Sequence, residues 1–171
     1  EFIYGHDLNF DNVLKAHSLL SQNLLPKSQR GNIRTNPMFV INEADRIEYI
    51  ACDHFKIKEE LVTLFSDISE LRTRELNSIE KFYFASLIHL VFVKIHPFQD
   101  GNGRTARLIE KWFLLESLGK EAISVELEKN YFLNRKAYYQ NIRMLGLEYS
   151  KLDYSQSLQF LLMTINSFEM K

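Results

Sequence analysis

Residues 94–113 read KIHPFQDGNGRTARLIEKWF, and this stretch holds the densest polar cluster of the chain. Within twelve positions it has a histidine, a carboxylate, two glycines flanking an asparagine, and two arginines. The whole chain contains only six glycines and three prolines, and three of these residues lie here. Glycine permits backbone turns that other residues resist, and proline ends helices. The stretch therefore predicts a tight turn beside reactive side chains.

The sequence on both sides of this turn is helical. Asn77 followed by Glu80 resembles a capping box, and Pro97 disfavours helix at His96. Between them the apolar residues cover more than one helix face, which is typical of a central helix. After the turn, Ala106, Ile109, Trp112, Phe113 and Leu118 restore the helical period, and Gly119 suits a helix end.

The rest of the chain predicts a mainly α fold, a helical bundle with a small β-hairpin. MFVI and RIEYIA flank the polar NEAD and predict a hairpin at about residues 38–50. KEAISVELEKN, residues 120–130, has both charge signs and is interpreted as a solvated connection. Helical spacing predicts further helices at 8–23 and 54–66, and near 130–146 and 155–168.

Composition limits the class of protein. The chain has 171 residues, of which 46% are apolar, so we expect a single domain spanning residues 1–171. A net charge of −1 argues against a general nucleic-acid binder. The single cysteine, Cys52, excludes an internal disulfide. The apolar run at 85–93 is too short to cross a bilayer, so we expect a cytoplasmic protein without a membrane partner.

The glycine-rich turn has the features of an anion site. Backbone amides of Gly101, Asn102 and Gly103 precede a helix, and such amides form a nest for phosphate with the helix dipole behind it. Arg104 and Arg107 lie three residues apart in the first turn, so both can point to the same side. Two cations there are unfavourable for the helix dipole. An anion such as a polyphosphate is expected to compensate.

Asp100 and His96 extend this interpretation. A carboxylate in a phosphate site requires a bridging cation, and Mg²⁺ commonly binds one or two carboxylates plus phosphate oxygens. His96 is the nearby side chain that can accept a proton at neutral pH, and such a base typically contributes about 10²–10⁴ in rate. Together they predict transfer of a phosphorus-containing group from a nucleoside triphosphate to a hydroxyl.

Plainer interpretations exist for each part. DGNG begins like a calcium loop, but Arg104 and Lys111 occupy positions 5 and 12, where that loop needs oxygen ligands. A Walker-type loop is excluded because no lysine follows the glycines. Two alternatives stay open for the isolated parts: the glycines form only a helix–helix turn, and His96 is a structural histidine.

The complete string HPFQDGNGRTAR, residues 96–107, resembles the signature H-x-F-x-[D/E]-G-N-G-R-x-x-R of the Fic family at every specified position. GNIR, residues 31–34, resembles the start of the family's target-binding flap. NRKAYYQNI, residues 134–142, resembles its downstream helix. The resemblance covers most of residues 8–147 and implies the Fic fold, which agrees with the helical bundle and hairpin predicted above.

The resemblance also implies an activity, adenylylation. AMP passes from ATP to a serine, threonine or tyrosine hydroxyl of a target protein, and pyrophosphate is released. It implies that His96 is the general base, that Phe98 anchors the loop in the core, and that Asp100 holds Mg²⁺. It implies phosphate contacts from the amides of Gly101, Asn102 and Gly103, from the Asn102 side chain, from Arg104 on the β-phosphate side and from Arg107 on the γ-phosphate.

Alternative activities on the same fold are phosphorylation, transfer of other nucleotides or phosphocholine, and removal of AMP from a target. Gly101 argues against the phosphorylating branch, which departs from the glycine-rich motif. An inactive interaction module is a further alternative.

Family members are typically restrained by a glutamate in [S/T]-x-x-x-E-[G/N], which pairs with the second motif arginine, here Arg107. Ser124 and Glu128 have that spacing, but Lys129 occupies the final position; Ser66 with Glu70 and Ser117 with Glu121 fail in the same way. We therefore expect the inhibitory glutamate upstream of Glu1 or on a partner chain, and no glutamate donated to Arg107 by a separate inhibitory helix within residues 1–171.

The remaining polar residues are assigned no function. Cys52 has no paired cysteine or evident base, so it is not expected to be a catalytic thiol. Histidines 6, 17, 54 and 89 lack metal-ligand spacing, and His89 is expected to be a hydrogen-bonded core histidine. We expect Tyr131, Tyr138 and Tyr139 to serve in packing.

Overall fold

The structure, a computed structural model, describes residues 2–42 and 45–168. Within these ranges it contains seven α-helices and one two-stranded antiparallel sheet, which confirms the mainly α fold with a small hairpin. The elements are α1 (Phe10–Leu20), β1 (Phe39–Ile41), β2 (Ile47–Ile50), α2 (Ile57–Leu71), α3 (Ser78–Ile95), α4 (Asn102–Leu118), α5 (Leu127–Leu133), α6 (Arg135–Met144) and α7 (Leu158–Ile165).

Helix α3 is the central element, as its apolar pattern predicts. It begins with the expected capping box, in which Asn77 Oδ1 accepts the Glu80 amide and the Glu80 carboxylate accepts the Asn77 amide. It packs against α2, α4 and α7. Phe92 of α3, Trp112 and Phe113 of α4, and Phe160 of α7 are almost fully buried together in the core. The core therefore holds the two helices that flank the glycine-rich turn.

The hairpin forms where it was predicted. Val40 pairs with Tyr49 and Phe39 with Ile50, and the register is irregular after Val40. The Ile50 amide also donates to the Leu147 carbonyl at 2.7 Å, which ties β2 to the segment after α6. Residues 43 and 44, in the predicted polar NEAD turn, lie outside the described residues. β2 is therefore anchored to the body of the molecule, with Tyr49 directed inward and 3% exposed.

Two predictions about the segment after α4 were wrong. The helix expected at 130–146 is two helices, α5 and α6, which meet at Asn134. The Asn134 side-chain amide donates to the Asn130 carbonyl, and such local bonding competes with continuous helix. Residues 120–130 are not merely a solvated connection, since the chain forms a 3₁₀ turn and then begins α5, with Ala122, Val125 and Leu127 buried.

The other boundaries are close to the predicted ones. The helix expected at 54–66 is α2, which begins later and runs further, to Leu71. Gly119 ends α4 with a φ of 61°, as expected of a glycine at a helix end. Over the described ranges, none of the helices has both the length and the apolar character needed to cross a membrane.

Candidate active site

His96 lies at the end of α3, in a backbone conformation that is unusual for histidine. Its φ is 52° and its ψ is 60°, in the left-handed region. Its amide closes the helix by donating to the Phe92 carbonyl at 3.0 Å. A non-glycine residue in this region costs about 1–3 kcal/mol and persists only where its surroundings hold it. This left-handed conformation ends α3 at His96 and turns the chain into the loop that leads to α4.

Arg34 helps to stabilise the left-handed backbone of His96. It is 4% exposed, and its guanidinium donates to the carbonyls of His96 at 2.7 Å, Cys52 at 2.6 Å and Asn36 at 2.5 Å. Its own amide donates to the Pro97 carbonyl at 2.9 Å. The GNIR segment is therefore more than the start of a flap, because its arginine fixes the first two residues of the motif. Sequence reasoning missed this role.

The His96 imidazole is enclosed and neutral at pH 7. Burial, followed by the positive charge of Arg34, lowers the pKa of His96 to about 4. The Tyr49 hydroxyl lies 3.0 Å from Nδ1. A neutral imidazole in which one nitrogen donates its hydrogen keeps a lone pair on the other nitrogen, which can then accept a proton. This is the state that a general base needs.

Phe98 is the anchor of the loop, as predicted. It is 1% exposed, and its ring stacks on His17 with 3.6 Å between ring centroids and 7° between the planes. Asn102 encloses its backbone: Oδ1 accepts the Phe98 amide and Nδ2 donates to the Phe98 carbonyl, both at 2.8 Å. Both polar atoms of the Asn102 side chain thus help to close the turn. Nδ2 keeps a second hydrogen, so the phosphate contact expected from this side chain stays a prediction.

His17 of α1 is a second residue whose role the sequence did not reveal. Its Nδ1 accepts the Gly31 amide at 2.9 Å, so in the neutral ring Nε2 carries the hydrogen and donates to the Asp100 carbonyl, also at 2.9 Å. Burial lowers the pKa of His17, which favours this neutral form. The ring thus links α1 to the motif loop across 83 positions of sequence. No local pattern in the sequence signals such a contact.

The start of α4 offers backbone donors to an anion. Gly101 precedes it with a φ of 82°, and a Cβ there would lie 3.3 Å from His17 Nε2, so glycine is required twice over. The Gly101 amide itself donates to Asp100 Oδ1 at 2.5 Å. The amides of Asn102, Gly103 and Arg104 have no carbonyl four residues earlier in the helix. They point outward at its positive end, where anions are favoured.

Asp100 and Arg104 flank these amides. The Asp100 side chain is 58% exposed, and its Oδ2 lies 3.7 Å from Arg104 Nη2. The described part of the chain has no cluster of three or more histidine, cysteine or acidic side chains suited to a metal. A lone exposed carboxylate fits Mg²⁺, which is usually bound by one or two carboxylates together with phosphate oxygens and water.

Arg107, one turn further along α4, is paired within this chain. Its Nε lies 2.8 Å from Oε2 of Glu128, in the first turn of α5. Arg107 therefore has a glutamate partner from a helix of this chain, contrary to the expectation. The physical reason is the path of residues 119–127, in which the buried Ala122, Val125 and Leu127 anchor the chain so that the start of α5 lies beside α4. The position of the inhibitory glutamate, upstream of Glu1 or on a partner chain, stays a prediction. The Glu128 side chain is 71% exposed and that of Arg107 is 20% exposed, so the pair faces solvent.

A cleft of about 990 Å³ lies between the hairpin and α6. Tyr139 lines it, whereas Tyr131 and Tyr138 are buried in the core, as expected for packing. The charged side chains of the cleft are mostly basic: Arg46, Arg135, Lys136 and Arg143, with Glu48 opposite in sign.

The other candidates are structural. His89 is fully buried, with Nδ1 2.6 Å from the Glu110 carboxylate and Nε2 3.0 Å from the Tyr138 hydroxyl, which confirms a hydrogen-bonded core histidine. Burial raises the pKa of the Cys52 thiol to about 11, so the reactive thiolate is disfavoured at neutral pH.

Comparison with known proteins agrees with this geometry. The sequence model of the Fic/DOC family matches residues 7–114. Protein adenylyltransferase fic-1 of Caenorhabditis briggsae is 28% identical over 142 residues, which cover 83% of this chain and 25% of that protein. The chain thus spans about a quarter of the length of this curated relative.

Solved structures share the fold. A Fic family protein from Desulfovibrio desulfuricans G20 superposes with a TM-score of 0.74 at 20% identity, covering 92% of this chain and 45% of that one. BepC from Bartonella tribocorum, solved with bound AMPPNP, superposes with a TM-score of 0.63 at 18% identity, covering 95% of this chain and 76% of that one.

Proposed function

The chain belongs to the Fic/DOC family, and from this premise we propose that it is a protein adenylyltransferase. It would transfer AMP from ATP to a serine, threonine or tyrosine hydroxyl of a target protein and release pyrophosphate. The observation that carries the proposal is a neutral His96 imidazole in the same short loop that leads to the open amides of α4. The name of the relative fic-1 and the AMPPNP bound to BepC point the same way.

His96 acts on the target hydroxyl. Its free nitrogen takes the hydroxyl proton as the oxygen attacks the α-phosphorus of ATP. A new P–O bond forms to the target, the bond between the α-phosphorus and the bridging oxygen breaks, and pyrophosphate leaves with that electron pair. A positioned base of this kind contributes about 10²–10⁴ in rate.

The start of α4 holds the triphosphate. Amides of Asn102 and Gly103 donate to phosphate oxygens, and Gly101 allows the backbone to approach them closely. Arg104 and Arg107 neutralise the β- and γ-phosphates once their carboxylate partners release them. These groups stabilise charge that shifts to pyrophosphate as the bond breaks.

Asp100 would hold Mg²⁺ together with phosphate oxygens. When bound, the ion would offset the negative charge of the triphosphate. Asp100 exchanges its 3.7 Å contact with Arg104 for this role, which leaves the arginine free for the nucleotide.

The hairpin is the proposed docking site for the target segment. Phe39 and Ile41 of β1 are 58% and 48% exposed, and β1 lies at the edge of a two-stranded sheet. An extended peptide can pair its main chain with such an edge strand, a form of β-augmentation. Main-chain pairing selects conformation more than sequence, so many target sequences would be positioned weakly.

The test is transfer of label from ATP with Mg²⁺ to proteins, followed by mass spectrometry of the modified residue. His96→Ala should nearly abolish transfer while ATP binding survives, because His96 acts on the hydroxyl and not on the triphosphate. Retained transfer, or an equal loss of binding, removes His96 from this role. An adduct of different mass in parallel reactions with other nucleotides would identify another transferred group, and binding without any transfer would indicate an inactive module.

A further inference from the structure

We propose that Tyr49 is a positioning residue for His96, whose hydroxyl accepts the Nδ1 hydrogen and so leaves Nε2 free as the base. The part of this proposal that concerns catalysis rests on the proposed function. The direction of the hydrogen bond is argued from the same base role, but the NMR measurement below reads the state of the imidazole without any assay of transfer.

The contact is direct and enclosed. Tyr49 Oη lies 3.0 Å from His96 Nδ1, within hydrogen-bonding distance, and the two rings meet edge to face at 68° with 5.9 Å between centroids. Tyr49 is 3% exposed, so water does not compete freely for this bond. The hydroxyl is therefore a fixed partner of one ring nitrogen.

The direction of the bond follows from the chemistry of imidazole. A neutral ring carries one hydrogen, on Nδ1 or on Nε2. If the tyrosine hydroxyl donated to Nδ1, the hydrogen would sit on Nε2, and neither nitrogen would be free to accept a proton. If Nδ1 donates to the hydroxyl, Nε2 keeps its lone pair. Only the second arrangement gives His96 a base, and a hydroxyl can serve in it as acceptor. The Val93 carbonyl, which also forms a hydrogen bond with the imidazole, can only accept, so it favours a ring that donates on this side as well.

Tyr49 is held where this bond requires. It lies in β2 opposite Val40. The Nζ of Lys94 lies 4.8 Å from the centroid of its ring, within the range of a cation–π contact, and donates to the Gly146 carbonyl at 3.0 Å. Lys94 is itself fully buried, so it cannot move away into solvent. The hydroxyl is consequently set by the hairpin, by α3 and by the segment after α6.

This arrangement joins the base to the proposed docking element. Tyr49 belongs to the hairpin whose other strand offers its edge to a target. A shift of β2 away from α3 would lengthen the Oη–Nδ1 distance and release the imidazole to rotate. The base is thus in its working orientation only when the hairpin is seated.

Nitrogen NMR of the ligand-free protein labelled with ¹⁵N in histidine tests the state of the ring directly. The His96 signals are assigned as those lost in His96→Ala. We expect wild-type His96 to be the Nδ1–H form at pH 7, and Tyr49→Phe to shift it toward the Nε2–H form. The matched control is Tyr83→Phe, which removes the hydroxyl of a half-exposed tyrosine in α3 and should leave the His96 signals unchanged. An Nε2–H form in the wild type would overturn the proposal, and no variant is needed for that result.

Kinetics test the consequence. Loss of a positioning hydrogen bond in Tyr49→Phe should lower kcat about tenfold, with KM for ATP unchanged and the protein still folded at the assay temperature, while Tyr83→Phe keeps wild-type rates. Wild-type kcat in Tyr49→Phe would refute the positioning role. If the protein transfers no AMP at all, the proposed function fails while the NMR result still decides the state of His96.

Discussion

Replacing Glu128 by glutamine tests whether the Arg107–Glu128 pair competes with ATP. The two side chains meet at 2.8 Å, so Arg107 must leave Glu128 before its guanidinium can bind a phosphate. Glutamine keeps the size of the side chain and removes its charge. We expect the variant to bind ATP more tightly, because a competing state of Arg107 is lost.

The size of the effect follows from exposure. A surface ion pair is worth about 0.2–1 kcal/mol, and Glu128, at 71% exposure, belongs in that class. The paired state of Arg107 is therefore more populated than the unpaired state by a factor of about 1.4–5. The fraction of molecules in which Arg107 is free to bind a phosphate is then about 0.15–0.4. Removing the pair should tighten ATP binding about 2–6-fold. Because salt screens exposed pairs, the difference should shrink as ionic strength rises.

Calorimetric titration of ATP into wild type and Glu128→Gln, at low and high salt, measures this difference. Glu126→Gln is the matched control, since Glu126 lies in the same segment but pairs with Lys129. An unchanged affinity in Glu128→Gln refutes the competition. A gain of a hundredfold or more would refute the surface character of the pair and indicate a glutamate that locks Arg107 out of contact with solvent.

Two further predictions follow from the motif loop. The pKa of His96 is about 4 in the folded protein and about 6.5 in the unfolded chain. As pH falls, the unfolded state therefore binds the proton first. Up to about 3 kcal/mol of the free energy of unfolding should be lost between pH 6.5 and 4. Urea unfolding of the ligand-free protein measures this, and His96→Gln should flatten that part of the profile. Gly101→Ala should lower the unfolding free energy by about 1–2 kcal/mol and lower AMP transfer, because the left-handed φ and the 3.3 Å approach to His17 both oppose a Cβ; a thermal unfolding curve equal to that of wild type would contradict this reasoning.

Local signals in the sequence predicted much of the fold around the site. The capping box at Asn77 fixed the start of α3, the pair His96-Pro97 its end, and Gly119 the end of α4. Each signal acts within one turn of helix, so its effect depends little on contacts with distant parts of the chain. The hairpin was predicted for a similar reason, since alternation of apolar residues within two short segments sets its strands.

Contacts between distant parts of the chain could not be predicted in this way. His17 reaches Asp100 across 83 positions, and Arg34 reaches His96 across 62. Nothing in the composition of α1 or of the GNIR segment specifies which distant carbonyl each side chain will meet. The Arg107–Glu128 pair was also missed because it depends on the path of the chain. The inhibitory motif used in the sequence search requires glycine or asparagine after the glutamate. The contact itself requires only that α5 bring Glu128 beside Arg107.

The twelve motif residues specify the reactive groups and, through Phe98 and Asn102, part of the loop's geometry, and residues outside the motif complete that geometry. The loop from His96 to Gly101 is held by His17 from α1, by Arg34 from the segment before the hairpin, and by Tyr49 from β2. Each of these contacts fixes a different atom: the Asp100 carbonyl, the His96 carbonyl and the His96 imidazole. The left-handed backbone of His96 persists because the hydrogen bonds from these partners offset its conformational cost. A chain with the same twelve residues but without these three would carry the same functional groups with no fixed orientation. A motif match in another protein is therefore informative about activity only if that protein also has residues equivalent to His17, Arg34 and Tyr49.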